Sequence, residues 1–424
     1  MDDISVLVCD DSALMRNLIG RIVDETTGLK VCCKAENGLD LLEKLKTNKP
    51  DVILLDIEMP KMTGVEFLKK RRELRIDIPV IILSSIATEG AAVTMQCLEL
   101  GASDFITKPG GSVSLKIADV TKDIVEFVAS YGGVYATRHG KKVPDPEFFT
   151  HQIKLKEAEK FVSQKKGEES SKGGLSFSSG NSSSASTSSF NNSSSASVAP
   201  SSKPDFTPPQ VWFTPKVKEP AVIKPERDGG RIEIIAIGIS TGGPNALRDL
   251  FKDIDPQLKQ PILVVQHMPA GFTEEFAGSL NNICPLKVSE AKDGEKILSG
   301  HVYIAPGNYH MFVEHKLDGK YIKLSQEAPR NGHRPSCDVL FESVAKIYQN
   351  KALGVIMTGM GRDGAAQITE MRKKGAWTLG QDQESSIVFG MPKVAYELGG
   401  VQKQVPLSRM AMEINKLAND HLLS

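Results

Sequence analysis

Ile234 to Pro244 reads IIAIGISTGGP. The apolar run stops at Ser240-Thr241 and gives way to two glycines and a proline, the pattern of a buried strand that breaks into a tight turn and opens a helix. Such a turn holds a short side chain at the helix N-terminus, where either a nucleophile or a phosphate can sit. Gly238-Ile239-Ser240-Thr241-Gly242-Gly243 nearly fits the dinucleotide fingerprint G-x-G-x-x-G. The middle position, which must be glycine for a pyrophosphate to approach the backbone, is Ser240. The same residues fit G-x-S-x-G, a strand-to-helix turn that presents a serine.

The next strand separates the two readings. PILVVQHMP (261–269) ends in Gln266-His267, with no acid for a nucleoside ribose. That disfavours a nucleotide or methyltransferase site and sets an imidazole beside a hydroxyl, a nucleophile with its base. Further on, Leu353–Met357 is followed by TGMGRDG (358–364), a glycine-rich loop that brings Asp363 to the same sheet edge. Singly, each has an ordinary structural reading: a turn, a capped surface histidine, a turn aspartate. On strand ends of one sheet they compose a triad in the order Ser240, His267, Asp363, recognised by roles rather than by chain order. The expected reaction is acyl transfer through Ser240, with His267 as base and Asp363 orienting the imidazole. Backbone N–H groups at the helix start, with that of Met360 as a further donor, would hold the oxyanion.

The strands expected in this region are Ile232–Ile239, Pro261–Gln266, Leu286–Glu290, His301–Ile304, Ala352–Met357 and Ala376–Gly380. A β-hairpin is expected over His310–Lys323, turning at Leu317-Asp318-Gly319. Residues 231–424 thus read as a doubly wound, mostly parallel α/β domain with a hairpin. Residues 1–130 carry a second alternation of five strands and five helices, a (βα)5 flavodoxin-like domain. Its strands end in Asp10-Asp11, Asp56, Ser84-Ser85 and Lys108. Three carboxylates at one edge repel one another unless a cation lies among them, and hard oxygen ligands at that density suit Mg²⁺. The lysine and the metal would neutralise a phosphoryl group arriving on a carboxylate.

Between the two, residues 131–230 lose periodicity. Glu168 to Pro204 is dominated by serine and reads as a flexible tether. Pro146–Lys165 has the makings of a charged helix, and Val211-Trp212-Phe213 is an apolar patch for docking on one of the domains. Over the 424 residues Lys+Arg and Asp+Glu balance at 52 each, which offers nothing global to nucleic acid or an anionic membrane. No apolar run is long enough to span a bilayer, and the N-terminus lacks a basic flank, so a cytoplasmic protein is expected. The six cysteines show no CxxC spacing and read as free thiols, with Cys32 and Cys33 on opposite faces of a strand.

Residues 1–130 resemble the receiver domain of two-component response regulators. The resemblance implies that Asp56 accepts the phosphoryl group. Asp10 and Asp11 would bind Mg²⁺ together with Asp56 and the main-chain carbonyl of Glu58. Ser84 and Phe105 would be the switch residues, and Lys108 the phosphate partner. GISTGGP, QHMP, YIAPGNYHM, HRPSCDVLF, TGMGRDG and QDQESSIVFGMP run in order through the C-terminal part. As a set they resemble the chemotaxis protein-glutamate methylesterase (CheB) family, which joins a receiver to an esterase. That resemblance implies a phosphorylation-activated hydrolase of glutamate γ-methyl esters on methyl-accepting chemoreceptors, with deamidation of receptor glutamines as a second activity. It implies a chemotaxis histidine kinase as phosphodonor and no cofactor for the ester chemistry. Thr241, Gly242 and Met360 would line the substrate pocket, and His333, Arg334 and Pro335 belong to the shared pattern. The competing reading is a phospho-switched binding module without catalysis, which would survive loss of Ser240 but not of Asp56.

Overall fold

The structure is a computed structural model that describes residues 1–85, 88–108, 113–146, 148–153 and 217–420. The N-terminal sheet is built from β1 (Ile4–Cys9), β2 (Leu29–Ala35), β3 (Val52–Asp56), β4 (Val80–Ser84) and β5 (Asp104–Thr107). They alternate with α1 (Ala13–Asp24), α2 (Gly38–Leu45), α3 (Gly64–Glu73), α4 (Thr88–Glu99) and α5 (Val113–Phe127). All pairings are parallel, in the order β2-β1-β3-β4-β5. Every residue of β3 and β4 is buried, which is why both are runs of Val, Ile and Leu rather than alternating patterns. Side chains set the helix starts: Asn37 accepts from the Leu39 and Asp40 N–H groups, and Thr63 with Glu66 forms a capping box. The strand order reverses between β1 and β3, which opens a crevice over their carboxyl ends at Asp10 and Asp56.

One local expectation fails. Cys32 and Cys33 do not diverge: their sulfurs lie 3.6 Å apart. The register jumps from Val6↔Val31 to Leu7↔Cys33, so Cys32 is the extra residue of a β-bulge and the two-residue alternation is broken there.

Helix α5 continues through a π-helical turn (Val128–Gly132) into α6 (Gly133–Arg138). Residues 131–138 of this stretch lie within the span expected as linker, and Val128 to Gly132 are all buried. At the other end of that span, Ala221 and Gly230 donate backbone hydrogen bonds to Glu397 and Asn350. Lys374 pairs with Glu226. Residues 154–216, with the serine-rich stretch and Val211-Trp212-Phe213, lie outside the described residues.

The second sheet and its hairpin follow in chain order: β6 (Ile234–Ile239), α7 (Gly243–Lys252), β7 (Ile262–Gln266), α8 (Thr273–Asn281), β8 (Lys287–Glu290), β9 (His301–Ile304), β10 (His310–Lys316), β11 (Gly319–Ser325), α9 (Cys337–Tyr348), β12 (Ala352–Ile356), α10 (Ala365–Lys373), β13 (Trp377–Gln381), α11 (Met391–Glu397), β14 (Lys403–Val405) and α12 (Leu407–Asp420). The sheet is parallel, in the order β14-β13-β12-β6-β7-β9-β8. β10 and β11 pair as a separate antiparallel hairpin whose Lys316↔Gly319 closure leaves Leu317-Asp318 as the turn. β14 was not legible in the sequence, because three residues at a sheet edge carry no period. β6, the first strand of this sheet, lies inside it, so the chain leaves on one side to β7 and returns on the other at β12. The resulting switch point lies above Ser240. Among the described residues no helix is long and apolar enough to cross a membrane.

Candidate active site and candidate phosphoryl site

Ser240 sits where β6 breaks. Its carbonyl accepts the Gly243 N–H at 2.7 Å, which closes the turn. Gly242 has φ 82°, and a Cβ there would meet Ile387 at 2.9 Å, so glycine is required on both counts. A Cβ on Gly359 would lie 2.7 Å from the Ser240 Cβ, so the β12 loop can pass behind the serine only as glycine. The Gln266 amide donates to the carbonyls of Ser240 (3.1 Å) and His267 (3.0 Å) and locks the two strand ends together.

The side chains of Ser240, His267 and Asp363 form one hydrogen-bonded chain. His267 Nδ1 is 3.1 Å from Ser240 Oγ, and Nε2 is 2.8 Å from Asp363 Oδ2. The ring is reversed relative to the familiar template, where Nε2 meets the serine. The tautomer consistent with this geometry carries its proton on Nε2, donated to Asp363, and turns the Nδ1 lone pair toward the Ser240 hydroxyl. Asp363 is only 1% exposed. Burial alone would raise its carboxyl. The bonds from His267, Asn331 and Ser336 outweigh that and hold it well below the usual carboxylate range. The Cys337 backbone N–H adds a further donor at 2.6 Å.

Several of these supporting residues were not singled out from sequence. Asn331 donates both to Asp363 (2.8 Å) and to the buried Asp338 (2.7 Å). Asn331 and Gly332 both have positive φ, and Arg330 and His333 close the turn with paired backbone bonds. The Asn-Gly dipeptide was the available signal, since such turns favour it. His333 lies flat on His267, with ring centroids 3.9 Å apart and planes 11° from parallel. Arg334 and Pro335 do not join the triad: Arg334 binds the Asn308 side chain and the Gln326 and Glu327 carbonyls.

Of the residues expected to line the pocket, Thr241 is buried and its carbonyl accepts from Thr358. Met360 is partly exposed, with its sulfur 3.8 Å from the Thr150 hydroxyl. The Gly242 N–H, an expected oxyanion donor, is given to another residue. It bonds Asp104 Oδ2 at 3.1 Å, from the first residue of β5 in the N-terminal domain. Asp104 also accepts the Tyr131 hydroxyl at 2.7 Å. Asn245 donates to the carbonyls of Ala102 (2.9 Å) and Ser103 (3.0 Å). Phe105 stacks on Phe272 at 4.8 Å, and Ser279 donates to Glu99 at 2.8 Å. The end of α4 and the start of β5 therefore lie against the start of α7 and both ends of α8. That contact is made two residues from Ser240.

At the other end of β5, Lys108 bridges Asp10 (2.9 Å) and Asp56 (2.7 Å). Burial raises the Asp56 carboxyl against the pull of Lys108, with Asp10 adding repulsion. A cavity of about 260 Å³ opens here, lined in part by Asp11, Asp56, Glu58, Ser85 and Lys108. Ser84 is fully buried and bonded to the Thr94 hydroxyl at 2.6 Å, while the adjacent Ser85 lines the cavity.

Asp10, Asp11 and Asp56 offer oxygens within 4.8 Å of one another, a hard donor set that fits Mg²⁺. His267, Cys337 and Asp363 are equally close but do not suit a metal. Both imidazole nitrogens are committed, and burial pushes the Cys337 thiol far above its ordinary value, so it stays protonated.

Fold and strand-end chemistry together define the class: a receiver domain coupled to an α/β serine hydrolase. Residues 235–414 match the family described as CheB methylesterase, and residues 6–118 match the response regulator receiver domain. A protein-glutamate methylesterase/protein-glutamine glutaminase of Treponema denticola is 48% identical, over 99% of this chain and 100% of its own length. Its namesake in Treponema pallidum is 47% identical, over 98% and 97%. The solved CheB methylesterase catalytic domain of Thermotoga maritima is 36% identical, over 44% of this chain and 98% of that one, with a TM-score of 0.43. The chain belongs to the CheB methylesterase family.

Proposed function

We propose that this chain is a phosphorylation-activated protein-glutamate methylesterase that also deamidates glutamine. The observation that carries the reading is the unbroken hydrogen-bond chain Ser240–His267–Asp363 at three strand ends. In the proposed reaction His267 Nδ1 takes the Ser240 proton as Oγ attacks the γ-carbonyl carbon of a glutamate methyl ester. Asp363, held ionised, stabilises the imidazolium. The proton then passes to the leaving methoxide, methanol departs, and an acyl-serine remains. Water, deprotonated by the same nitrogen, releases glutamate. With a glutamine substrate the leaving group is ammonia, so one triad serves both reactions.

Regulation is assigned to the receiver. Asp56 is the proposed phospho-acceptor, Lys108 its charge partner and Ser84 the hydroxyl that leaves Thr94 on activation. Asp10, Asp11 and Asp56, with the Glu58 carbonyl, would hold Mg²⁺, whose charge supports phosphoryl transfer. In the resting state Asp104 engages the Gly242 N–H, and repositioning β5 frees that donor. The proposed substrates are methyl-accepting chemoreceptors, the proposed phosphodonor is a chemotaxis histidine kinase, and the site of action is the cytoplasm. The proposed division is receiver, linker and catalytic domain at about residues 1–130, 131–230 and 231–424.

The test is methanol release from methylated receptor membranes by the full chain, with and without a small phosphodonor and Mg²⁺. Wild type should release methanol faster with the donor, and Ser240→Ala should lose turnover by several orders of magnitude. Undiminished release by Ser240→Ala would leave only the binding-module reading.

A further inference from the structure

In a regular strand adjacent side chains point to opposite faces, so neighbouring cysteines cannot share a ligand. The bulge in β2 removes that obstacle. The register steps from Val6↔Val31 to Leu7↔Cys33, and the two sulfurs come to lie 3.6 Å apart. The Cys32 thiol also donates to the Val6 carbonyl at 3.4 Å, on the β1 residue just before the step. β2 is an edge strand of its sheet, and both cysteines are half-buried, whereas Cys9, Cys97, Cys284 and Cys337 are buried. The pair is a dithiol that a small reagent can reach from outside.

The spacing suits a bridging atom better than a direct bond. An S–S bond is about 2.0 Å long and usually joins Cα atoms at least about 4.4 Å apart. Adjacent Cα atoms are fixed at about 3.8 Å. Two sulfurs each about 2.3 Å from one shared centre, at a near-tetrahedral angle, lie roughly 3.7 Å from each other. A four-coordinate metal ion would need further protein ligands. Among the described residues, the clusters of three or more His, Cys, Asp or Glu donors do not include this pair. A metal ion would also need thiolates. Burial, with Cys33 alongside, pushes Cys32 up to about 12, and burial raises Cys33 against the pull of Cys32 and Lys44. Both thiols therefore stay protonated at neutral pH. The chemistry that fits is a three-coordinate centre that condenses with two neutral thiols.

We propose that Cys32 and Cys33 form a binding site for trivalent organoarsenicals, the bulge holding both sulfurs at the spacing of one bridging arsenic. With phenylarsine oxide, the two S–H bonds and the As–O bonding break and two As–S bonds form. Both protons leave with the oxygen as water, and arsenic stays trivalent, so no oxidant or reductant is consumed. The test exposes the full chain, reduced with a phosphine, to phenylarsine oxide and reads intact mass. Samples are then challenged with excess mercaptoethanol or dithiothreitol. A single adduct per chain should survive the monothiol and be stripped by the dithiol, because a chelated arsenic is given up only to another pair. Subsequent alkylation with iodoacetamide, read by peptide mass, should spare Cys32 and Cys33. Cys32→Ser and Cys33→Ser should each lose the monothiol-resistant adduct, and Cys97→Ser should keep it. An adduct that mercaptoethanol removes, or one that persists in either of the first two variants, would overturn the proposal. If those variants do not fold, the wild-type alkylation map decides, and protection at other cysteines overturns it.

Discussion

Asp104 is a buried carboxylate outside the triad. It is 4% exposed, and it faces the Tyr131 hydroxyl and the N–H groups of Gly242 and Phe105, with no cation among these partners. Burial pushes it up to about 6, although those donors pull it down. A raised acid binds its proton more tightly in the folded chain than in the unfolded one. Its contribution to stability is therefore complete below the ordinary aspartate value and is lost as pH rises through about 6. The expected loss over that window is on the order of 2–3 kcal/mol. Asp104→Asn keeps an acceptor for Gly242 but cannot titrate. Its melting temperature should fall less than that of wild type between about pH 4 and pH 6.5; parallel curves would show that Asp104 does not titrate in this window.

At the scale of elements, the contact between domains is made by termini: the end of α4 and start of β5 against the start of α7 and both ends of α8. Helix starts leave N–H groups without partners. Helix α7 begins at the turn that holds Ser240, so whatever satisfies the Gly242 N–H also bears on the proposed nucleophile. Asn245, on the first turn of α7, binds two carbonyls of the approach to β5. Asn245→Ala removes both bonds and should shift the chain toward an undocked receiver. Resting ester hydrolysis should rise roughly ten-fold, while the rate with phosphodonor stays near that of wild type. An unchanged resting rate would mean that this contact does not restrain the receiver.

Over the whole molecule, the proposed phosphoryl site and the proposed ester site lie at opposite ends of β5. Lys108 follows its carboxyl end and Asp104 begins it, with Phe105 stacked on Phe272 between them. A four-residue strand is a short, stiff connection between the two chemistries. Asp56→Asn in the full chain should therefore abolish stimulation by phosphodonor and Mg²⁺, measured as the ratio of methanol release with and without donor. A ratio equal to that of wild type would place the acceptor elsewhere.

Both sheets were legible in the sequence, because buried parallel strands are continuous Val/Ile/Leu runs and chemistry collects where those runs stop. For the same reason Ser240, His267, Asp363, Asp10, Asp56 and Lys108 could be named from strand ends alone. Other features depend on which surfaces meet. Which imidazole nitrogen meets Ser240 shows only once the three side chains are brought together, and the His333 stack follows from where a distant turn folds back. The bulge at Cys32 is a matter of register between two strands. Asp104 reaches Gly242 across 138 positions of sequence. A contact at that separation leaves no period, spacing or motif in the chain. It exists only once the two sheets have been packed together, and that packing sets a strand-start aspartate against the N-cap of α7.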